Sequence, residues 1–265
     1  MNHSQISLLI IDPQNDFVDP QGSLSVTGAD QDAKRLANLI KQLGPEISSI
    51  SISLDSHQRY DISHPLWFFD HNGESPKPFT VISSDDLIQR RWQTRQNVAE
   101  HTLNYLQSLE SRGRYPHVIW PEHCLIGSQG HAIYPLIQEA LHEWSATPAR
   151  LNYIYKGQNP LTEHFSAIEA EVPIPDDPNT HVNHKLLEHL KQSEQVWVAG
   201  WARSHCVGNT LRDLFKWGGK DLAQKTLILT DTMSDVSGFE IQGEAVIQES
   251  VDFGARLTEV QQLIS

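Results

Sequence analysis

Val196-Trp-Val-Ala-Gly-Trp-Ala-Arg-Ser-His-Cys-Val-Gly-Asn-Thr-Leu-Arg-Asp-Leu214 changes its hydrophobic period part-way along. The apolar run stops at Gly200, and Val207, Leu211, Leu214 and Phe215 then follow helical spacing. The stretch reads as a strand feeding a helix. Cys206 falls at the join, where unpaired helix N–H groups and the helix dipole favour a thiolate. A thiol there is a candidate nucleophile. A free cysteine is also among the most buried residue types and commonly acts as a small hydrophobe, so the rest of the chain has to decide.

Working outward, five more short runs read as strands: Ile6–Ile11, Ile50–Leu54, His117–Trp120, Leu151–Tyr155 and Thr226–Thr230. Helical patterns alternate with them. Ala33, Leu36, Ala37, Ile40 and Leu43 make one stripe, stopped by Gly44-Pro45, and Val98, Thr102, Tyr105, Leu106 and Leu109 make another. Such alternation implies parallel strands joined by right-handed crossovers with helices on both faces. The expected class is α/β, a three-layer, Rossmann-like arrangement. The length of 265 residues suits one domain over 1–265. A stretch at about 65–95 carries Trp67, Phe68, Phe69, Gly73, Pro76 and Pro78 without a clean period and reads as a loop insertion. Its aromatics could supply an interface between copies of the chain.

Composition narrows the function. The formal net charge is −13 and the 20 Lys and Arg residues form no basic stripe, so nucleic acid is not an expected partner. The apolar run near the start is far too short to span a bilayer, and neither a basic n-region nor a cleavage site precedes it. With only Cys124 and Cys206, the chain reads as a cytoplasmic protein with reduced thiols. The glycines of the dinucleotide and phosphate-loop motifs are absent.

Ligands of an open parallel sheet bind at the carboxyl ends of its strands. Those ends are followed here by Asp12-Pro-Gln-Asn-Asp-Phe17, by Asp55-Ser-His57 with His64 beyond, by Trp120-Pro-Glu-His-Cys124, by Lys156-Gly157 and by Cys206. Five polar or reactive groups on one rim are hard to assign to chance. Asp55 and His57 project the same way from an extended segment. With His123 and His64 they make a carboxylate and imidazole set suited to a divalent metal such as zinc, iron or manganese. Asp12 could take the thiol proton and return it to a leaving amine, and the Lys156 ammonium would stabilise a thiolate.

Together these motifs resemble the isochorismatase-like cysteine hydrolases, and among them the nicotinamidases. The resemblance rests on Ile10-Ile-Asp-Pro-Gln-Asn-Asp-Phe17, Leu54-Asp-Ser-His57, Trp120-Pro-Glu-His-Cys-Leu-Ile-Gly127, Tyr155-Lys-Gly157 and Gly200-Trp-Ala-Arg-Ser-His-Cys-Val207. It implies a six-stranded parallel sheet between helices and a catalytic triad of Asp12, Lys156 and Cys206. It further implies a cis Trp201–Ala202 peptide, an oxyanion hole from the Ala202 and Cys206 N–H groups, and one metal ion, zinc favoured, held by Asp55, His57, His123 and His64. Phe17 and Trp120, with Trp201 nearby, would flank a flat ring. The implied substrate is nicotinamide or a close aromatic amide, as in pyridine nucleotide salvage. Another small amide or carbamoyl compound, with Trp67, Phe68, Phe69 and Trp201 setting specificity, and a metal-binding module without turnover are the alternatives. Ser204 departs from the family, whose nicotinamidases often carry an acidic residue two before the nucleophile, and His64 lies farther from His57 than is usual.

Overall fold

A computed structural model describes residues 5–95, 97–113, 115–146 and 148–265. Six parallel strands form the main sheet: β1 (Ile6–Ile11), β2 (Ile47–Asp55), β3 (Arg150–Lys156), β4 (Gln195–Gly200), β5 (Thr226–Leu229) and β6 (Arg256–Thr258). Their spatial order is β6-β5-β4-β1-β2-β3. β1 sits inside the sheet because every one of its residues is buried, as a strand covered on both faces requires.

Its side chains alternate between two helical layers. Ile6, Leu8 and Ile10, with Trp197 and Ala199 of β4, pack on α1 (Ala29–Leu43) and α3 (Pro135–Trp144). Leu9 and Ile11, with Val196 and Val198, pack on α4 (His184–Lys191), α5 (Gly208–Lys225) and α6 (Glu240–Phe253). A third cluster joins Ile62, Trp67, Phe68, Ile82 and Ile119 to Tyr105, Leu106 and Leu109 of α2 (Ala99–Arg112). Trp67, Phe68 and Ile82 thus give the 65–95 segment packing of its own.

One expected strand lies elsewhere. His117–Val118 pairs antiparallel with Val81–Ile82, outside the main sheet. Pro116 and Pro121 bracket that run, and proline has no N–H for a ladder. The sixth place belongs to β6, whose Arg256 and Leu257 are exposed at the sheet edge and leave no hydrophobic pattern to read.

The chain runs outward from β1 in both directions, so the strand order reverses beside it. The crevice between the carboxyl ends of β1 and β4 is the expected ligand position. Ile11 pairs with Gly200 there. A Cβ on Gly200 would lie 2.1 Å from the Ile11 carbonyl oxygen, and its φ of 122° suits only glycine. Glycine at this position brings Asp12 and the segment leading to Cys206 together.

Candidate active site

Cys206 lies in a π-helical turn, Arg203–Val207, that links β4 to α5. Such turns recur at functional sites because they re-aim a side chain. The peptide between Trp201 and Ala202 is cis. The Lys156 Nζ, at the end of β3, lies 2.9 Å from Asp12 Oδ2, 3.0 Å from Asp55 Oδ1 and 3.6 Å from Cys206 Sγ. It also donates to the His164 carbonyl oxygen at 3.0 Å. All four side chains are buried. Asp12 is held by the Ser53 hydroxyl, which donates to its Oδ1 at 2.6 Å. Asp55 is held through its backbone by Gln14, whose amide exchanges two hydrogen bonds of 2.7 Å with it.

Burial and charge compete at each group. Burial works to strip the proton from Lys156, but the Asp12 and Asp55 carboxylates overcome it and hold the ammonium well above its usual range. Burial pushes the Cys206 thiol well up, against the pull of Lys156. The Asp12 carboxyl is also raised by burial, with Lys156 opposing. A thiol and a carboxyl both shifted upward are suited to exchanging one proton, and Cys206 Sγ lies within 4.8 Å of an Asp12 carboxylate oxygen.

Beside this group, ligand atoms of Asp55, His57 and His123 lie within 4.8 Å of one another, all buried. Asp55 Oδ2 is 3.1 Å from His57 Nε2 and 3.5 Å from His123 Nε2. His57 Nε2 has no hydrogen-bond partner, although it is buried. Each ring is fixed from behind, His57 Nδ1 by Asp61 Oδ2 at 3.1 Å and His123 Nδ1 by the Pro121 carbonyl at 2.8 Å. Imidazoles anchored at one nitrogen and free at the other, facing a carboxylate, fit a metal ion. Burial disfavours charge at both Asp55 and His57, yet their mutual attraction holds Asp55 well below and His57 well above their ordinary values.

His64 stands outside that group. Its Nδ1 faces the Gln58 carbonyl at 3.2 Å and its Nε2 faces His123 Nδ1 at 3.3 Å, so it abuts the back of a cluster ring. Burial, with His123 and His57 adding to it, pushes its pKa down to about 3, keeping the ring neutral.

Phe17, Leu24, Asp55, Trp120, His123, Glu163, Phe165, Ala202, His205, Cys206 and Val236 enclose a cavity of about 20 Å³. That is room for roughly one water molecule. Phe17 and Trp120 stand on the wall. Trp201 does not: its indole is buried in the core and donates to Asp32 Oδ2 at 3.2 Å. Asp32 on α1 provides the acceptor a buried indole needs, and this turns the ring from the cavity. Trp67 and Phe68 are likewise absent from the wall, buried in the third cluster. Glu163, Phe165 and His205 are wall residues that motif reading missed. His205 adjoins the cysteine and Glu163 follows a strand end, so position alone could have marked both.

No family model matches the chain. Among curated proteins, the nicotinamidase of Acinetobacter baylyi is 29% identical over 215 residues, covering 80% of this chain and 75% of that protein. The nicotinamidase of Saccharomyces cerevisiae is 22% identical over 237 residues, 87% and 88% of the two. Among solved structures, a nicotinamidase–pyrazinamidase of Acinetobacter baumanii aligns over 99% of this chain and 100% of its own, with a TM-score of 0.67 and 22% identity. A pyrazinamidase of Pyrococcus horikoshii, in complex with zinc, aligns over 96% and 99% with a TM-score of 0.58 and 18% identity.

Proposed function

We propose, on the premise that this chain is an isochorismatase-like protein similar to nicotinamidases over most of its length, that it hydrolyses nicotinamide to nicotinate and ammonia through a thioester on Cys206. The observation that carries the reading is the buried ammonium of Lys156, within 3.6 Å of the Cys206 sulfur and in ion-pair contact with Asp12 and Asp55. Holding a lysine and two carboxylates out of water costs several kcal/mol unless each is paired. A module that only bound ligands would have no use for a thiol at that spot.

In this reading Cys206 Sγ attacks the carboxamide carbon as its proton passes to Asp12. Lys156 balances the charge that collects on sulfur and carboxylate. The N–H groups of Ala202 and Cys206 hold the developing oxyanion. Asp12 then gives its proton to the departing ammonia and, as a base again, takes one from the water that cleaves the thioester. Phe17 and Trp120 bracket the ring. Asp55, His57 and His123 would hold a divalent ion, zinc for preference given the imidazole-rich set, which when bound supplies a Lewis-acidic anchor for a polar atom of the substrate or a water.

Purified protein supplied with zinc, iron or manganese should release ammonia from nicotinamide or pyrazinamide near neutral pH. Absence of release with every metal would remove the reading. Cys206→Ala should abolish turnover and leave metal content unchanged.

A further inference from the structure

Asp32, in the first turn of α1, is a buried carboxylate that the hydrolytic scheme leaves unused. Its Oδ2 accepts two hydrogen bonds, from Trp201 Nε1 at 3.2 Å and from Ser234 Oγ at 2.6 Å, and its Oδ1 accepts from Arg35 Nη2 at 2.6 Å. One oxygen thus joins the residue beyond β4 to the segment beyond β5.

The two groups it holds lead to either side of Ala202. Trp201 precedes Ala202, and its own N–H donates to the Ile11 carbonyl at 2.9 Å. Arg203 follows, and its N–H donates to the Ser234 carbonyl at 2.8 Å. The segment around Ser234 grips the nucleophile turn twice more, through the Val236 N–H, which donates to Ser204 Oγ at 3.1 Å, and through the Asp235 carboxylate paired with the Arg203 guanidinium. The N–H groups of Ala202 and Cys206 are the oxyanion donors of the proposed reaction. Such donors stabilise a developing charge because they are aimed before it forms. The Ala202 N–H shares a rigid peptide plane with the Trp201 carbonyl, so the orientation of Trp201 sets its aim.

We propose that Asp32 is a positioning residue for the oxyanion hole, fixing the direction of the Ala202 N–H by holding the Trp201 indole and Ser234. This rests on the amidase reading and adds to it a side chain from α1 that lies outside the cavity wall. The role needs an acceptor and not a charge. Asparagine can turn its amide oxygen to Trp201 and Ser234 and its nitrogen to Arg35, whose side chain is 42% exposed and keeps its bond to the Asp231 carbonyl.

The test measures kcat and KM for ammonia release from nicotinamide, and the dissociation constants of nicotinate and pyridine-3-carbaldehyde, for metal-loaded wild type, Asp32→Ala and Asp32→Asn. The aldehyde reports on the hole: Cys206 Sγ bonds to its carbonyl carbon, the π pair of the C=O bond moves onto oxygen, and the thiol proton passes to Asp12. Nicotinate forms no such bond and reports on the ground state. Asp32→Ala should lower kcat and aldehyde affinity together by about tenfold or more, while KM and nicotinate affinity stay within about threefold of wild type. Asp32→Asn should restore kcat and aldehyde affinity to within about threefold of wild type. Loss of folded enzyme leaves dissociation constants unchanged, so it cannot produce this split. If Asp32→Ala does not fold, Trp201→Phe, which removes the N–H from the other end of the bond, carries the comparison with Asp32→Asn. Wild-type kcat and aldehyde affinity without the acceptor, equal losses of nicotinate and aldehyde affinity, or an Asn variant as impaired as the Ala variant overturns the positioning role and leaves the amidase reading standing. Failure of the wild type to release ammonia from nicotinamide or pyrazinamide overturns both.

Discussion

Among the described residues, Lys156 is the cation whose ammonium meets both Asp12 and Asp55. Lys156→Met removes that cation and leaves two buried carboxylates close together. Breaking a buried ion pair in this way costs about 3–5 kcal/mol, so the urea midpoint should fall sharply and turnover should be lost. A midpoint near that of wild type would show that the lysine does not hold the carboxylates. The metal-facing residues separate in the same fashion. His123→Ala removes a member of the Asp55, His57 and His123 group, and stoichiometric metal binding in equilibrium dialysis should be lost. Asp61→Asn leaves the three ligands in place but weakens the anchor on His57 Nδ1, and affinity should fall by about 10–100-fold. His64, packed behind His123, is expected to change affinity less than His123 does when each is replaced by alanine; an equal loss would make it a ligand.

At the scale of elements, the join between β1 and β4 positions the chemistry. Gly200→Ala would drive a methyl group into the Ile11 carbonyl at a backbone conformation hostile to side chains. We expect a loss of at least about 2 kcal/mol in urea unfolding, together with loss of activity as Asp12 and Cys206 are pushed apart. Wild-type stability in this variant would mean that the two strands need not approach so closely. The strands that carry the proposed catalytic residues were legible for the same reason that they are stable. β1, β4 and β5 are buried, mostly apolar runs and β2 alternates buried Ile50, Ile52 and Leu54 with serines, and Asp12, Asp55 and Cys206 lie at or beyond the ends of three of these strands. β3 was also found, although as an edge strand it exposes Tyr153 and Tyr155, because its apolar and aromatic residues still stand out. β6 was not legible, since an exposed edge strand need not be hydrophobic. His117–Trp120 was apolar enough to mislead, because burial in a side cluster and burial in the main sheet look alike in one dimension. The orientations of Trp201 and His64 were not legible, because sequence shows which residues reach a rim and not which way each side chain turns once there.

Over the whole molecule, buried histidines tie stability to pH. Burial keeps His117 neutral, pushing its pKa down to about 4, and does the same for His205 at about 3. In the unfolded chain each would take a proton near pH 6.5. Below that value the unfolded state binds more protons than the folded one, so stability is fully present above about pH 7 and is lost as the pH falls towards 4. Each such histidine contributes a slope of roughly 1.4 kcal/mol per pH unit in that window. His117→Gln should therefore lose less stability than wild type between pH 6 and pH 4.5, by about that slope, in paired urea titrations; parallel profiles would contradict the assignment. His117 lies away from the cavity wall, against the Ile62 carbonyl at 3.0 Å, which keeps this effect separate from catalysis.

The central claim is that Cys206 carries the acyl group during hydrolysis. It is tested most directly by mixing metal-loaded enzyme with excess nicotinamide, quenching rapidly with acid and measuring the masses of the peptides. The account predicts a nicotinoyl adduct on the peptide containing Cys206, lost on treatment with hydroxylamine and absent from Cys206→Ala. Ammonia release that continues in Cys206→Ala at the wild-type rate would contradict it.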